Sequence, residues 1–264
     1  MHLGFKVASI DTDSRQQSLT HYFENRKRTN SFKETSLLMP NHYAIEMPQE
    51  RFDLTSQEER YFEEAFKEKY EELKQDNDFL IIDTPGSDNY LTRIAHSYAD
   101  TVVTPINDSF IDLDMLARLN PETKEIIKPS VYSEMLWGQK MVRARREYSQ
   151  DFKVDWIVMR NRLSQVSAKN KERVQEVLLK IADRLSFRTI NGFSERVIFR
   201  ELFLQGLTLL DVMEDKLGIK LSMSHIAARR EVMFLLSSLN IDIVNQKLEE
   251  GKTANVQKTK ELVH

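Results

Sequence analysis

Short apolar segments that alternate with helical patterns are the feature that most limits the fold of this chain. Five segments are rich in apolar and β-branched residues and end at a polar or turn residue, as buried strands do. They are Lys6–Ile10, Phe79–Ile82, Thr101–Ile106, Trp156–Met159 and Phe187–Ile190. Between them apolar residues recur at helical spacing, as in Phe62, Phe66, Tyr70 and Leu73. The alternation predicts an α/β fold with a mostly parallel sheet and helices on both faces.

The domain division follows from where this pattern holds. We predict one α/β domain over residues 1–240, with an insertion at about 25–78, because residues 25–53 have mixed polarity and two prolines. A capping box of Ser56 and Glu59 is expected to begin the helix that carries Phe62. Residues 241–264 are predicted to be a polar C-terminal tail.

The cysteine count and the charge exclude several classes of function. The 264 residues include no cysteine, which rules out disulfides, thiolate metal sites and cysteine nucleophiles. With 38 basic and 41 acidic residues the net charge is −3, so no global field attracts the chain to nucleic acid. The sequence has no apolar run of about 18 residues, and its start lacks the apolar stretch of a signal peptide. A cytoplasmic location is the resulting expectation.

Two of the predicted strands deliver aspartates to the sheet edge where α/β proteins bind ligands. Asp11 and Asp13 follow the first strand, while Asp83 follows the second and leads into a Thr-Pro-Gly turn that contains Gly86. A rigid strand would fix a carboxylate near a magnesium ion, and the glycine would let the backbone approach a phosphate. A turn-capping role explains Asp83 equally well on its own, but two such strand ends favour a magnesium–nucleotide site.

A third strand end carries Asn161. Its side-chain amide offers both a donor and an acceptor, so it could read the edge of a base. Asparagine is also common in the turn after a strand, and taken alone the turn is the better interpretation. Both interpretations stay open at this point.

Together these stretches resemble the ParA/MinD family of P-loop ATPases, and more narrowly its MipZ-type members, which position the division plane. The resemblance covers about Lys6 to Asp211, in the order expected of the family. The stretches that carry it are Asp11 to Gln16 with Phe23 to Arg26, Asp83 to Gly86, Thr104 to Phe110, Trp156 to Ser164 and Ser194 to Leu202.

The resemblance implies a role for each strand-end residue. Asp83 would hold Mg²⁺, Asp11 would line the same metal site, and Asp13 would orient the attacking water as the catalytic residue. Gly86 would sense the γ-phosphate and Asn161 would read the adenine. The implied cofactors are ATP and Mg²⁺.

The resemblance also implies partners. Family members form nucleotide sandwich dimers, contact the ParB centromere complex, bind DNA nonspecifically on the nucleoid and regulate assembly of the division protein FtsZ. Arg196 and Arg200 are the candidate DNA-binding residues because they lie four apart on one predicted helix face. A solvated basic face is the competing interpretation. Membrane binding is not expected, since the tail stretch Asn245–Gly251 has one large apolar residue.

The phosphate-binding loop of the family has no counterpart in this sequence. None of the seven glycines lies in a Gly-x4-Gly-Lys-Ser/Thr pattern, whose amides and lysine cradle phosphates. We expect Met1–Gly4 to be the end of the P-loop helix, with the first strand and the P-loop, about 30 residues, missing. Neighbouring strands would then expose ladder groups, and the chain is expected not to hydrolyse ATP appreciably. A start placed at an internal methionine and a truncated gene both explain the gap.

Two other functions remain open. One is a small-molecule ATP-dependent ligase of the same fold, of the dethiobiotin synthetase type, which the stretch Ser194–Leu202 disfavours. The other is a non-catalytic partner-binding protein, which heterodimer formation with a full-length paralogue would support. Reductases of the nitrogenase type share the fold but need cysteines for their cluster, so they are excluded.

Overall fold

The computed structural model describes residues 1–33, 35–45, 55–107, 109–147, 153–163, 168–212, 217 and 222–261. Its strands are β1 (Val7–Asp11), β2 (Asn41–Ala44), β3 (Phe79–Asp83), β4 (Thr101–Asn107), β5 (Ala117–Leu119), β6 (Ile126–Pro129), β7 (Asp155–Asn161) and β8 (Arg188–Asn191). Its helices are α1 (Ser18–Lys33), α2 (Ser56–Asp76), α3 (Tyr90–Tyr98), α4 (Phe110–Leu113), α5 (Val131–Glu147), α6 (Ala168–Leu185), α7 (Val197–Leu204), α8 (Leu209–Val212), α9 (Met223–Ser238) and α10 (Asp242–Glu261).

The strands form two three-stranded parallel sheets and one antiparallel hairpin. The first sheet has the order β2-β1-β3, the second has the order β4-β7-β8, and β5 pairs with β6. In the first sheet Asp11 is the register partner of Asp83, and in the second Asn107 is the partner of Asn161. The ends of β1 and β3 are therefore level, as are the ends of β4 and β7, so the terminal side chains of each pair meet at one edge.

One face of the first sheet packs on α2 and α3. Its core contains Ile10 from β1, Phe66 from α2 and Leu91 from α3, each fully buried. Phe66 and Tyr70 both contact the ring of Tyr98 in α3, with ring centroids 5.4 and 4.7 Å apart. The residues that recur at helical spacing in the sequence thus form the face of α2 that packs on the core.

The second sheet is covered on both faces. Leu136 of α5 and Ile181 of α6 pack with Trp156 against one face. On the other face Ile157 packs with Leu235 of α9. Both faces of β7 are therefore buried, as its nearly continuous apolar run predicts.

Helix α3 packs on both halves of the molecule. Ile94 and Tyr98 belong to the core of the first sheet. From the other half, Arg146 of α5 lies over the Tyr98 ring at 3.8 Å, and Arg143 donates to Asp100, just after α3, at 2.7 Å. The two sheets are therefore joined through α3 and α5.

All five predicted strands are present, within two residues of the expected bounds. The α/β fold with parallel sheets and helices is confirmed. The predicted capping box is wrong by one residue, because the N-cap of α2 is Thr55 and its partner is Glu58. Thr55 has an extended backbone, with φ −70° and ψ 156°, and its hydroxyl accepts from the Glu58 N–H, so the helix begins at Ser56.

The segment predicted as an insertion at about 25–78 holds the end of α1, β2 and α2 among its described residues, and all of them pack on the first sheet. Residues 34 and 46–54 lie outside the described part. The predicted polar tail contains α10, whose Val244 and Leu248 are buried. The domain division itself stays a prediction. Within the described residues, none of the helices has the length and apolarity that a membrane crossing requires.

Candidate functional site

Three aspartates lie together at the carboxyl edge of the first sheet. Asp11 and Asp83 are register partners at the ends of β1 and β3, and Asp13 follows two residues after Asp11. Thr12 ties the strand ends together, since its N–H and its hydroxyl both donate to the Asp83 carbonyl oxygen, at 2.9 and 2.8 Å. The sequence prediction that these carboxylates share one edge therefore agrees with their placement.

Asp11 is buried and both of its carboxylate oxygens are engaged. Its Oδ1 accepts from the Asp13 N–H at 3.0 Å, while Oδ2 accepts from the Thr20 N–H at 3.0 Å and from the Thr20 hydroxyl at 2.8 Å. Thr20 lies in the first turn of α1, so Asp11 satisfies one of the free N–H groups there. Sequence reasoning missed this anchoring role, because it depends on where the start of α1 lies after folding.

Asp13 shapes the loop between β1 and α1. Its Oδ1 accepts from the N–H groups of Arg15 and Gln16, at 3.2 and 3.1 Å, which is the local turn that aspartate often forms. Gln17 follows with a positive φ of 45°. The Asp13 carboxylate is half-buried, in contrast to that of Asp11, so it is the more accessible of the two.

Asp83 has a raised pKa. Burial disfavours its charged form, and the negative charges of Asp11 and Asp13 add to the effect. The edge therefore concentrates negative charge, and a cation placed there would favour ionised Asp83. This is the electrostatic condition that a magnesium–nucleotide site meets.

A magnesium ion at this edge would be held by few protein ligands. No group of three or more His, Cys, Asp or Glu side chains in the described part of the chain is arranged to hold a metal. Mg²⁺ is usually held by one or two carboxylates together with water and substrate phosphates rather than by an all-protein cage. Asp83 fits that arrangement, because its carboxylate is half-buried and lies near the negative charges of Asp11 and Asp13. Asp11 fits it less well, because both of its oxygens are already hydrogen-bonded.

A hydrogen-bonded chain leads from Asp11 to a histidine that sequence reasoning did not single out. The Thr20 hydroxyl donates to Asp11, so its oxygen is left to accept from Nε2 of His42 at 3.0 Å. His42 Nδ1 then accepts from the Ser9 hydroxyl at 2.9 Å. Burial lowers the pKa of His42 below its ordinary value, which favours this neutral form. Only the pairing of β1 with β2 brings Ser9 beside His42.

Asparagines occupy the equivalent edge of the second sheet. Asn107, Asn161 and Asn191 end β4, β7 and β8, and Asn107 is the register partner of Asn161. Sequence reasoning found Asn161 but not the other two, although an asparagine at each of three strand ends is a visible signal. The result is a short row of two neutral amides, Asn107 and Asn161, on this sheet, where the first sheet carries carboxylates, while Asn191 is the register partner of Arg160.

Gly86 is exposed in the turn after β3, and a Cβ added there would meet nothing within 4 Å. Packing within this chain therefore does not require a glycine at this position. The proposed contact with a phosphate stays a prediction.

The two candidate DNA-binding arginines have different surroundings. Arg196 precedes α7 and donates to Glu231 of α9 at 2.8 Å, with 19% of its side chain exposed. Arg200 has 73% of its side chain exposed and lies 3.3 Å from Glu195. Both positions stay predictions, and Arg200 is the one whose guanidinium is accessible to a phosphate.

A buried ion pair between Arg26 and Asp211 joins α1 to α8. Arg26 donates to both oxygens of Asp211, at 2.7 Å each, and the two side chains are 3% and 2% exposed. Burial alone would raise the pKa of Asp211, but hydrogen bonds from Arg26, His2 and Thr208 hold it well below its usual range. The sequence gives no local sign of this pair, because its partners are 185 positions apart.

Comparisons with known proteins identify the family of this chain and its fold. The sequence model of the family described as ATPase MipZ matches residues 1–243. An ATP complex of a McdA variant from Cyanothece is similar at 15% identity and a TM-score of 0.50, over 83% of this chain and 88% of that one. MinD from Aquifex aeolicus is similar at 15% identity and a TM-score of 0.44, over 88% and 85%. No curated protein matches the sequence. The McdA likeness supports the fold alone, whereas the family match covers most of the chain, and the chain therefore belongs to the MipZ ATPase family.

Proposed function

We propose that this chain is a MipZ-type nucleotide switch, an ATP-dependent dimer that positions the division plane by regulating FtsZ assembly. The observation that carries the proposal is the register pair of Asp11 and Asp83 with Asp13 beside it, in a chain that the ATPase MipZ family model matches. Partition and division ATPases need one edge where magnesium and phosphates meet carboxylates. The first sheet offers that edge.

Each residue has a task in this proposal. Asp83 would hold Mg²⁺, and Asp13, the accessible carboxylate, would orient the attacking water. Asp11 would act by holding the β1–α1 loop through Asp13 and Thr20. When bound, Mg²⁺ would supply positive charge to the phosphates of ATP. Gly86 would lie against the γ-phosphate, and Asn161, within the row of amides, would read the adenine.

Hydrolysis by residues 1–264 is expected to be slow, because no segment of the sequence has the glycine and lysine pattern that cradles phosphates. ATP turnover of the purified chain, measured with and without Mg²⁺, tests this. We expect the rate to equal that of an Asp83→Asn control. A magnesium-dependent rate that the Asp83→Asn substitution removes would overturn this expectation.

A sedimentation assay of FtsZ tests the switch itself. We expect the chain to reduce FtsZ polymer, and ATP with Mg²⁺ to change the extent of the reduction. The Asp83→Asn variant should lose the response to nucleotide, while Asp183→Asn, an exposed carboxylate on α6, should keep it. An unchanged amount of FtsZ polymer at every nucleotide condition would reject the proposal.

A partner-binding protein that works without ATP is the second candidate. The same missing glycine and lysine pattern favours it. In the sedimentation assay it gives an effect on FtsZ that neither ATP nor Asp83→Asn alters.

Contact with ParB, self-association and nonspecific DNA binding through Arg200 belong to either candidate. The Arg200→Ala variant should weaken DNA binding and its dependence on salt.

A further inference from the structure

Helix α5 presents an apolar face to solvent. Its opposite face carries Leu136, which packs in the core of the second sheet, and Arg143, which donates to Asp100. The outward positions recur at helical spacing between residues 134 and 145. The apolar side chains among them are 40–58% exposed, and they are Trp137, Met141 and Val142. A helix that covers a sheet normally has polar residues on this side, so the fold of one chain does not account for them.

A glycine lies at the centre of this face. Gly138 is near the middle of the 17-residue helix, and a Cβ added there would meet nothing within 4 Å. Glycine in a helix interior is less stable than alanine, and packing among the described residues does not require it at this position. The missing side chain leaves a gap beside Trp137 and Met141, through which the backbone of another helix can approach closely.

The two ends of the face carry opposite charges. Glu134 lies in the first turn of α5 and Arg145 in its last turn. Both residues are exposed, and within the described part of the chain neither side chain has an ion-pair partner. Each charge is therefore available to a partner that offers the opposite charge.

The order of these residues is self-complementary. When two copies of α5 lie antiparallel with their midpoints between residues 139 and 140, Glu134 of one copy is opposite Arg145 of the other. In the same register Trp137 is opposite Val142, and Met141 is opposite Gly138. Each large side chain thus meets a smaller residue, and each charge meets its counter-charge at both ends of the pair.

We propose that the outward face of α5 is a self-association surface, on which α5 of a second copy of this chain lies antiparallel. A two-fold axis passes between residues 139 and 140 of both copies, so every contact occurs twice. The face carries its own complement in charge and in size, which favours a second copy over an unrelated apolar partner. One helix pair buries less than about 1,200 Å², so the association is weak and reversible.

This surface is separate from the carboxylate edge. At the C-terminal end of α5, Arg143 donates to Asp100 and Arg146 donates to Ser97, and both acceptors lie just before β4 begins. The helix therefore runs along the second sheet, with Leu136 toward the strands and the outward face away from them. The contact needs no nucleotide, so it holds or fails independently of the proposed function.

Sedimentation velocity of the full chain without nucleotide, from about 5 to about 200 μM, tests for association in the range that a small interface gives. We expect the sedimentation coefficient to rise with concentration from that of a monomer toward that of a dimer. Val142→Lys should weaken the association at least about tenfold, because it buries a charge against Trp137 of the second copy. Leu179→Lys is the control, since Leu179 on α6 is an aliphatic residue with 50% exposure, against 42% for Val142. Asp83→Asn, at the carboxylate edge, should leave the association unchanged.

Substitution of Gly138 separates association from folding. Gly138→Ala should raise the midpoint of thermal unfolding, measured at a concentration where the chain is monomeric, because alanine favours the helix. The same substitution should weaken association, because its methyl group meets Met141 of the second copy. A glycine with a role only within one chain would not change the two quantities in opposite directions.

The antiparallel register can be tested with single cysteines, because the chain has none of its own. A mixture of Glu134→Cys and Arg145→Cys proteins keeps one of the two charge pairs and brings the two thiols together. With a thiol crosslinker about 8 Å long, the mixture should give a crosslinked dimer and neither protein alone should, because residues 134 to 145 span about 16 Å of helix.

Four results would overturn the proposal. They are a monomer over the whole concentration range, equal loss of association in Val142→Lys and Leu179→Lys, unchanged association in Gly138→Ala, and crosslinking of either cysteine variant alone as efficiently as the mixture.

Discussion

Each half of the molecule contains an arginine that donates to both carboxylate oxygens of an aspartate, and the two pairs differ in burial. Arg26 and Asp211, beside the first sheet, are 3% and 2% exposed, whereas Arg188 and Asp155, in the second sheet, are 29% and 36% exposed. Both arginines also donate to backbone carbonyls. Asp211 also accepts from the N–H and the hydroxyl of Thr208. We expect burial to set the larger part of the cost of removing either arginine, since a buried charge left without its cation is poorly solvated by water.

The comparison extends to the ligand edges. In the first sheet β1 and β3 end in Asp11 and Asp83, whereas in the second β4 and β7 end in Asn107 and Asn161. Parallel strands bring their carboxyl ends to one edge in both cases, so the fold provides the position and the side chains provide the chemistry. The charged edge suits magnesium and phosphate, while the amide edge suits a base.

The largest expected effect comes from breaking the buried pair. Arg26→Met should lower the free energy of unfolding by about 3–5 kcal/mol, because it leaves Asp211 buried without its cation. Arg188→Met, the matched variant in the second sheet, should cost about 1 kcal/mol, because water reaches Asp155. Urea unfolding followed by circular dichroism measures both. Equal losses of unfolding free energy in the two variants would show that the difference in burial does not determine the cost of removing the arginine.

A smaller effect is expected at the carboxylate edge. Asp11→Ala should cost about 1–3 kcal/mol, because the buried N–H groups of Asp13 and Thr20 lose their acceptor. The same variant should lower the pKa of Asp83, since one of the two negative charges that raise it is removed. NMR titration of the Asp83 carboxyl group measures this shift. Asp112→Ala is the control, and an unchanged Asp83 pKa in Asp11→Ala would contradict the electrostatic account.

The smallest effect concerns His42. A folded-state pKa below the ordinary 6.5 means that the unfolded chain binds the proton more readily. The contribution of His42 to stability is therefore complete above about pH 6.5 and is lost as the pH falls toward the lowered folded pKa. His42→Gln should reduce this loss relative to the parent chain, with a cost near neutral pH of about 0.5–1.5 kcal/mol. His21→Gln serves as the control, because His21 follows Thr20 directly in the first turn of α1. Identical pH profiles for His42→Gln and the parent would reject the hydrogen-bonded chain.

The sequence was informative wherever the signal is local. The apolar runs of β1, β3 and β7 are recognisable as strands, and Asp11, Asp83 and Asn161, which come directly after these runs or shortly beyond them, therefore fall at strand ends. The position of the α2 cap was missed by one residue, because Thr55 and Ser56 are both good N-cap residues and only the backbone angles choose between them. Asn107 and Asn191 were overlooked because asparagine is common in the turn after a strand, so neither residue by itself indicates a site.

Alternating apolar segments and strand-end aspartates were thus enough to determine an α/β fold with a negatively charged sheet edge, since both depend on neighbours within a few positions. Tertiary structure alone decided that Asp11 anchors α1 through Thr20, that His42 supports Thr20, and that Arg26 meets Asp211. It also decided the strand order, in which, among the described residues, one edge of β3 and one edge of β4 have no partner strand. These features join residues far apart in the chain, and their energies depend on burial, which exists only once the chain is folded.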